Sequence, residues 1–140
     1  MFLLDTNVIS ELRKNKPHGA VLAWFESVRA SDITIPASVI AELQEGVEMT
    51  RRQDPQKALE IERWIDRIML TYVVVSIDGE IIREWVRLMV GKSPNLSEDV
   101  MIAATARLHR STVVTRNITD FADLGVKVFN PFAIAPGELV

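Results

Sequence analysis

Cysteine is missing from this 140-residue sequence. Neither disulfide bonds nor thiolate zinc sites can therefore form, and any bound metal ion must take oxygen or imidazole ligands. The two histidines, His18 and His109, lie far apart along the chain and have no partner at metal-ligand spacing. The composition therefore favours hard cations bound by oxygen atoms.

Long hydrophobic runs are also missing, since no uncharged stretch approaches the roughly 20 residues of a membrane span. The amino terminus does not show the basic segment and apolar run of a secretion signal. We therefore expect a cytoplasmic protein without membrane contacts. The net charge of −3 lacks the positive excess of a basic nucleic-acid-binding domain. Any bound nucleic acid must be held by local basic patches or through metal ions.

The pattern of apolar residues predicts strands that alternate with helices in one domain. The fractions of hydrophobic and charged residues, 48% and 25%, are those of a globular protein. Alternating strands and helices predict an α/β fold with a largely parallel sheet. The continuous apolar run at 73–77 is typical of a strand that is buried on both faces. The predicted strands are Phe2–Leu4, Ile33–Ile35, Val73–Ile77, Thr112–Thr115 and Val126–Phe129.

Acidic side chains fall where the ends of these strands would meet. Asp5 closes the first strand, and Asn117 and Asp120 follow the fourth. Asp99 lies in the first turn of the preceding helix, and Glu42 lies within an earlier helix. Taken singly, each residue also has an ordinary structural interpretation as a helix cap, a solvated charge, a dipole partner or a turn residue. Gathered at one edge they would repel one another, so a divalent cation, Mg²⁺ or Mn²⁺, is the economical explanation.

Four acidic segments together resemble the motifs of PIN-domain ribonucleases of the VapC/FitB toxin group. The resemblance runs from Met1 to about Phe132, in the same order and spacing. It implies a three-layer α/β/α sandwich with a mostly parallel central sheet, a nuclease domain at 1–132 and a C-terminal tail at 133–140. The matching segments are Leu3–Leu12, Ala41–Gly46, Asp99–Ala106 and Val114–Phe121, together with the ending Val128–Phe132.

The resemblance also assigns roles to particular residues. Asp5, Glu42 and Asp99 occupy the positions of metal-binding, catalytic carboxylates. Asp120 and Asn117 share the fourth position, with Asp120 favoured as the acid. Other positions are expected to support this site: Thr6, Thr115 and Glu11 as residues that hydrogen-bond to the ligands, and Arg116 as a contact to RNA phosphate. Glu98 points about 100° away from Asp99 on an ideal helix and is not expected to be a ligand.

The function implied by the resemblance is that of a toxin in a type II toxin–antitoxin system. Such a toxin is a magnesium-dependent endoribonuclease that hydrolyses RNA phosphodiester bonds. Its expected partners are an RNA substrate, a second copy in a homodimer, and a small antitoxin that binds operator DNA. Two alternatives stay open. One is a catalytically inactive PIN-like interaction module, favoured only by Asn117, and the other is a magnesium-dependent phosphatase or receiver-like domain, which would need a second Asp beside Asp5.

Overall fold

A five-stranded parallel sheet forms the centre of the computed structural model, which describes residues 1–133. The strands are β1 (Phe2–Leu4), β2 (Ile33–Pro36), β3 (Val73–Val75), β4 (Thr112–Val114) and β5 (Val128–Phe129). Their order in the sheet is β3-β2-β1-β4-β5, and every neighbouring pair is parallel. This arrangement confirms the predicted three-layer α/β/α sandwich.

Six α-helices within the described residues cover the sheet. A side-chain cap precedes several of these helices. Asp5, Asp54 and Asp78 each accept a hydrogen bond from a backbone N–H in the first turn of the helix that follows. None of these helices is long and apolar enough to cross a membrane. The helices are α1 (Thr6–Arg13), α2 (Gly19–Ser27), α3 (Ala37–Arg51), α4 (Pro55–Thr71), α5 (Gly79–Met89) and α6 (Ser97–His109).

The core lies between the sheet and these helices. Leu3 and Leu4 of β1, Ile35 of β2 and Val114 of β4 have no exposed surface. Burying a side chain of this size contributes about 1.5–3 kcal/mol. The buried apolar strands therefore stabilise the sheet. The residues that follow each strand lie at the carboxyl edge of this sheet.

The prediction for the third strand is wrong in one respect. The run at 73–77 was expected to be a strand buried on both faces, but β3 ends at Val75 and lies at the edge of the sheet. Val73 is 66% exposed. An apolar, β-branched run is compatible with a central strand and with an edge strand. The third strand has an open side because it pairs with β2 alone.

The start of α3 also differs from what the sequence predicts, since Ser38 is of a residue type that commonly caps a helix. The helix begins at Ala37, directly after Pro36, and no side chain caps it. The predicted tail at 133–140 lies outside the described residues except for Ala133. That residue ends a short 3-10 helix, Pro131–Ala133.

Candidate metal centre

Asp5 lies at the junction between β1 and β4, where both central strands end. Its backbone N–H donates to the carbonyl of Val114, which ties the two strand ends together. The carboxylate accepts hydrogen bonds from the Thr6 backbone N–H at 2.7 Å and the Thr115 hydroxyl at 2.8 Å. A third donor is the Asn7 amide at 3.3 Å. The side chain is therefore held in one orientation.

Burial opposes the charge on this carboxylate. Asp5 is only 5% exposed, and burial raises its pKa above the usual value despite the hydrogen bonds from Thr115, Thr6 and Asn7. The negative charge of Asp120 raises the pKa further. A cation next to Asp5 would offset both effects.

Thr115 and Asn7 connect Asp5 to the loop after β4. The Thr115 hydroxyl donates to Asp5 and accepts from the Asn117 backbone N–H at 3.0 Å. The Asn7 side chain accepts from the Arg116 backbone N–H at 3.1 Å. The sequence does not predict the role of Asn7 at the site, because Asp-Thr-Asn after a strand is typical of residues that cap a helix. Its position two residues after Asp5 was the available signal.

Glu42 reaches the same region from α3. Burial raises its pKa to about 7, and the charges of Glu98 and Asp5 act in the same direction. The neighbouring Thr6 hydroxyl lowers the pKa. A carboxyl group with a pKa near neutrality is the expected result when several acids share a partly buried site.

Asp99 approaches from the first turn of α6. Burial raises its pKa to about 6, followed by the charges of Asp5, Asp120 and Glu98. The start of α6 is fastened by Trp85 of α5, whose indole N–H donates to the Ser97 carbonyl at 3.0 Å. Hence α5 helps to hold the first turn of α6 against the site.

The carboxylates thus form one electrostatically coupled group. Asp5 contributes to the raised pKa values of Glu42 and Asp99, and Asp120 contributes to those of Asp5 and Asp99. Within residues 1–133, however, no three Asp, Glu or His side chains are gathered at ligand distance around one point. Mg²⁺ usually binds one or two carboxylates directly and keeps several waters, so an open group of oxygen donors fits this ion. Asn117, which follows Thr115, is exposed.

Glu98 belongs to this group, although the helix geometry had pointed it away from Asp99. Its charge raises the pKa values of both Glu42 and Asp99. Glu98 and Glu42 also line one surface pocket of about 280 Å³, beside Trp85. The angular argument considered α6 alone and could not include the position of Glu42 on α3.

Glu11 is buried at 6% exposure, but its hydrogen bonds serve another purpose. The carboxylate accepts from the Lys14 ammonium at 2.9 Å and from the His18 backbone N–H at 3.0 Å. The hydrogen bond from Lys14 is the main reason that its pKa is lowered. Glu11 therefore fastens the connection between α1 and α2, and none of its hydrogen bonds reaches the acidic group.

Arg116 is exposed and directly follows Thr115, whose hydroxyl donates to Asp5. Its guanidinium stacks on the Phe132 ring, with 3.7 Å between the central carbon and the ring centroid. Its charge is felt by Glu11, whose pKa it lowers. An aromatic ring thus holds this positive side chain in place, directly after Thr115 in the chain.

Parallel strands with acids gathered beyond their carboxyl ends define a class of α/β protein that binds a ligand or metal at the topological switch point. A family model described as PIN domain matches residues 2–127. The chain belongs to the PIN domain family, and its relatives identify it as a member of the VapC/FitB type.

Several relatives match nearly the full chain, and two of them are at least 33% identical to it. Toxin FitB of Neisseria gonorrhoeae is 33% identical, over 94% of this chain and 99% of that protein. VapC ribonuclease Y4jK of Sinorhizobium fredii is 34% identical, over 94% of this chain and 98% of that protein. A solved structure of FitAB bound to an IR36 DNA fragment matches with a TM-score of 0.84 at 30% identity. The match covers 98% of this chain and 99% of that one.

Proposed function

We propose that this chain is the toxin of a type II toxin–antitoxin pair and acts as a magnesium-dependent endoribonuclease. The observation that carries the proposal is the coupled carboxylate group around Asp5, in which Glu42 and Asp99 have raised pKa values. The names of the relatives support it, since one is a toxin and the other a ribonuclease. The reaction class is metal-assisted hydrolysis of RNA phosphodiester bonds.

Asp5, Glu42, Asp99 and Asp120 would hold Mg²⁺, or Mn²⁺ in its place, with Asn117 as a further oxygen donor. When bound, the ion supplies a polarised water and neutralises phosphate charge. The donors at the site are carboxylate, amide and hydroxyl oxygens, as a hard cation requires. No cysteine competes for a softer metal.

The chain's own groups orient this chemistry. Thr115, Asn7 and the Thr6 backbone N–H hold the Asp5 carboxylate in a fixed position. In this proposal Arg116, already steadied by Phe132, contacts a phosphate of the RNA next to the acids. The acids themselves would repel RNA, so binding requires that the cation and this arginine outweigh them.

The proposed partners follow from the same assignment. A FitAB structure contains a DNA fragment, which supports a cognate antitoxin that binds operator DNA for this chain. We further propose a homodimer in the cytoplasm, where RNA substrates are present. Residues 1–132 would form the single nuclease domain.

A cleavage assay with purified protein, Mg²⁺ and mixed RNAs tests the proposal. We expect cleavage that stops on addition of a chelator, resumes with excess Mg²⁺, and falls at least about 100-fold in Asp5→Asn, because that change removes a charge at the centre of the site. Asp66→Asn is the matched control, since Asp66 is an exposed residue of α4.

Equal cleavage by the wild-type and Asp5→Asn proteins would identify a contaminating nuclease and contradict the assignment. A folded wild-type protein without cleavage of any RNA would favour the inactive interaction module. Hydrolysis of small phosphomonoesters in place of RNA would favour the phosphatase alternative.

A further inference from the structure

A second concave surface lies at the other edge of the sheet, away from the carboxylates. It is a pocket of about 440 Å³ at the amino ends of β1 and β4, beside the end of α6. Met1 precedes β1, and Thr112 begins β4. Nothing in the proposed nuclease mechanism uses this surface.

The lining of this pocket is basic. Arg107, Arg110 and Lys127 all contribute to it, and no acidic residue within the described part of the chain lines it. Glu84, which pairs with Arg107, lies outside the lining. In a chain whose net charge is −3, a concave surface of one positive sign is a local exception.

Arg107 is held in place by several acceptors. Its guanidinium donates to the Glu84 carboxylate at 3.0 Å and to the carbonyls of Leu124 and Gly125 at 3.3 and 3.2 Å. Gly125 has a φ of +66°, and a Cβ atom there would overlap the guanidinium. The loop before β5 is therefore built around this arginine, which leaves it little freedom.

Arg110 sits in the left-handed backbone region, with a φ of 53°, at the end of α6. Glycine is the usual residue in that conformation after a helix, because a side chain is strained there. Next to it, Ser111 is only 8% exposed and also lines the pocket. A strained cationic residue and a largely buried serine thus line the same pocket, and retained strain is common at ligand sites.

We propose that this pocket binds the phosphate group of a nucleotide or of an RNA strand, with Arg110, Lys127 and Ser111 as the donors. Guanidinium, ammonium and hydroxyl groups are the side chains that recognise phosphate. The volume lies within the range of roughly 300–1,000 Å³ that is typical of small-molecule sites and accommodates a nucleoside monophosphate. The site is separate from the carboxylates and requires no metal ion.

Amide NMR titrations of the full chain without divalent metals test this inference. Inorganic phosphate and a nucleoside 5′-monophosphate are the first two probes, and both are expected to shift the amides of Arg110, Ser111 and Lys127 in a saturable way. Arg110→Gln and Lys127→Gln should each weaken binding about tenfold, because each removes a charged hydrogen bond. Arg63→Gln, an exposed change on α4, is the matched control and should leave the affinity unchanged.

Arg110→Gly separates binding from folding. Glycine adopts the left-handed conformation without strain, so this variant should melt at a higher temperature than wild type and still bind phosphate about tenfold more weakly. A purely structural role for Arg110 predicts no loss of binding in the more stable variant.

A short RNA oligonucleotide is the third probe, added to Asp5→Asn protein so that it stays intact. Shifts with RNA alone would assign the site to a phosphodiester strand, and shifts with the monophosphate alone would assign it to free nucleotides. The proposal is overturned when none of the three probes shifts these amides, or when Arg63→Gln reduces binding as much as Lys127→Gln. Because this experiment involves neither a metal ion nor RNA cleavage, its outcome does not test the nuclease assignment. The cleavage assay tests that assignment separately.

Discussion

Thr115 is the residue on which the order of the acidic site depends most. It has no exposed surface, and its hydroxyl donates to Asp5 while accepting from the Asn117 backbone and the Asn7 amide. One hydroxyl thereby links the ends of β1 and β4 to the following loop. A methyl group of the same size would leave all three partners without this link.

The change Thr115→Val should therefore cost about 1–3 kcal/mol of unfolding free energy, because a buried carboxylate and a backbone N–H lose a partner. Loss of the donor should also raise the pKa of Asp5 further, since the hydrogen bond from Thr115 is the largest effect that lowers it. Urea unfolding and RNA cleavage at several pH values measure the two effects.

Thr115→Ser keeps the hydroxyl and should restore both properties in large part. Thr112→Val, at the start of β4, the strand that ends just before Thr115, is the matched control and should be close to neutral. Equal losses in Thr112→Val and Thr115→Val would show that this segment tolerates neither change and that the Thr115 hydroxyl has no special role.

At the scale of single residues, the sequence predicts where the acidic side chains lie better than it predicts which residues contact them. Asp5 was expected at a strand end, and it is there, because a short apolar run followed by Asp-Thr-Asn signals both the strand and the cap. The hydrogen bonds of Asn7 and the proximity of Glu98 to Glu42 were not foreseen. Both depend on which elements meet in space, and periodicity within one helix carries no such information.

Among the elements, the alternation of strands and helices predicted a parallel sheet, but not the order of its strands. β1 pairs with β4, which is more than 100 residues away, and this pairing brings Asp5 to Thr115. The edge position of β3 was likewise missed, because an apolar run shows what a strand can bury and not what packs against it. Local signals therefore define elements, whereas long-range pairing defines the site.

The helix α3 contains a glycine that its conformation does not require. Gly46 lies in the interior of the helix, and a Cβ atom there would meet nothing within 4 Å. Gly46→Ala should raise the unfolding free energy by about 0.5–1 kcal/mol, because alanine has the higher helix propensity. Chemical denaturation measures this gain.

Gly79→Ala provides the comparison, since Gly79 also has open space but is the first residue of α5. Its effect should be smaller, because propensity matters most within a helix. A loss of stability in Gly46→Ala would show that another group needs the space beside α3, where Gly46 and Glu42 line the same pocket.

In the molecule as a whole, the carboxylates at one edge of the sheet repel one another. This repulsion makes the stability of the fold depend on pH. In the folded chain the pKa of Glu42 is raised to about 7 from its ordinary 4.5, and that of Asp99 to about 6 from 3.8. At pH values between the ordinary and the raised pKa of each group, the folded state binds more protons than the unfolded state. Stability is therefore greatest at the acidic end of this window and falls as the pH rises from about 4 to 7.

Thermal unfolding of the metal-free protein between pH 4 and 8 measures this dependence, after allowance for the remaining carboxylates. Glu42→Gln should flatten the fall between pH 5 and 7, because its side chain does not titrate. Asp66→Asn, whose site is exposed on α4, should leave the curve unchanged. A wild-type stability that rises steadily from pH 5 to 7 would contradict the raised pKa values.

Mg²⁺ should reduce the same repulsion between the carboxylates and so stabilise the folded chain. A cation that binds only the folded state stabilises it in proportion to the logarithm of its concentration, by about 2.7 kcal/mol at 100 times its dissociation constant. Because the ion needs deprotonated carboxylates, the stabilisation should be larger at pH 8 than at pH 5 and should be accompanied by proton release near pH 7. Calorimetric titration in two buffers of different ionisation enthalpy measures that release, with Asp5→Asn as the variant that should lose both the heat and the stabilisation. An equal melting temperature with and without Mg²⁺ at pH 8 would show that these acids do not bind the ion, whatever RNA the protein contacts.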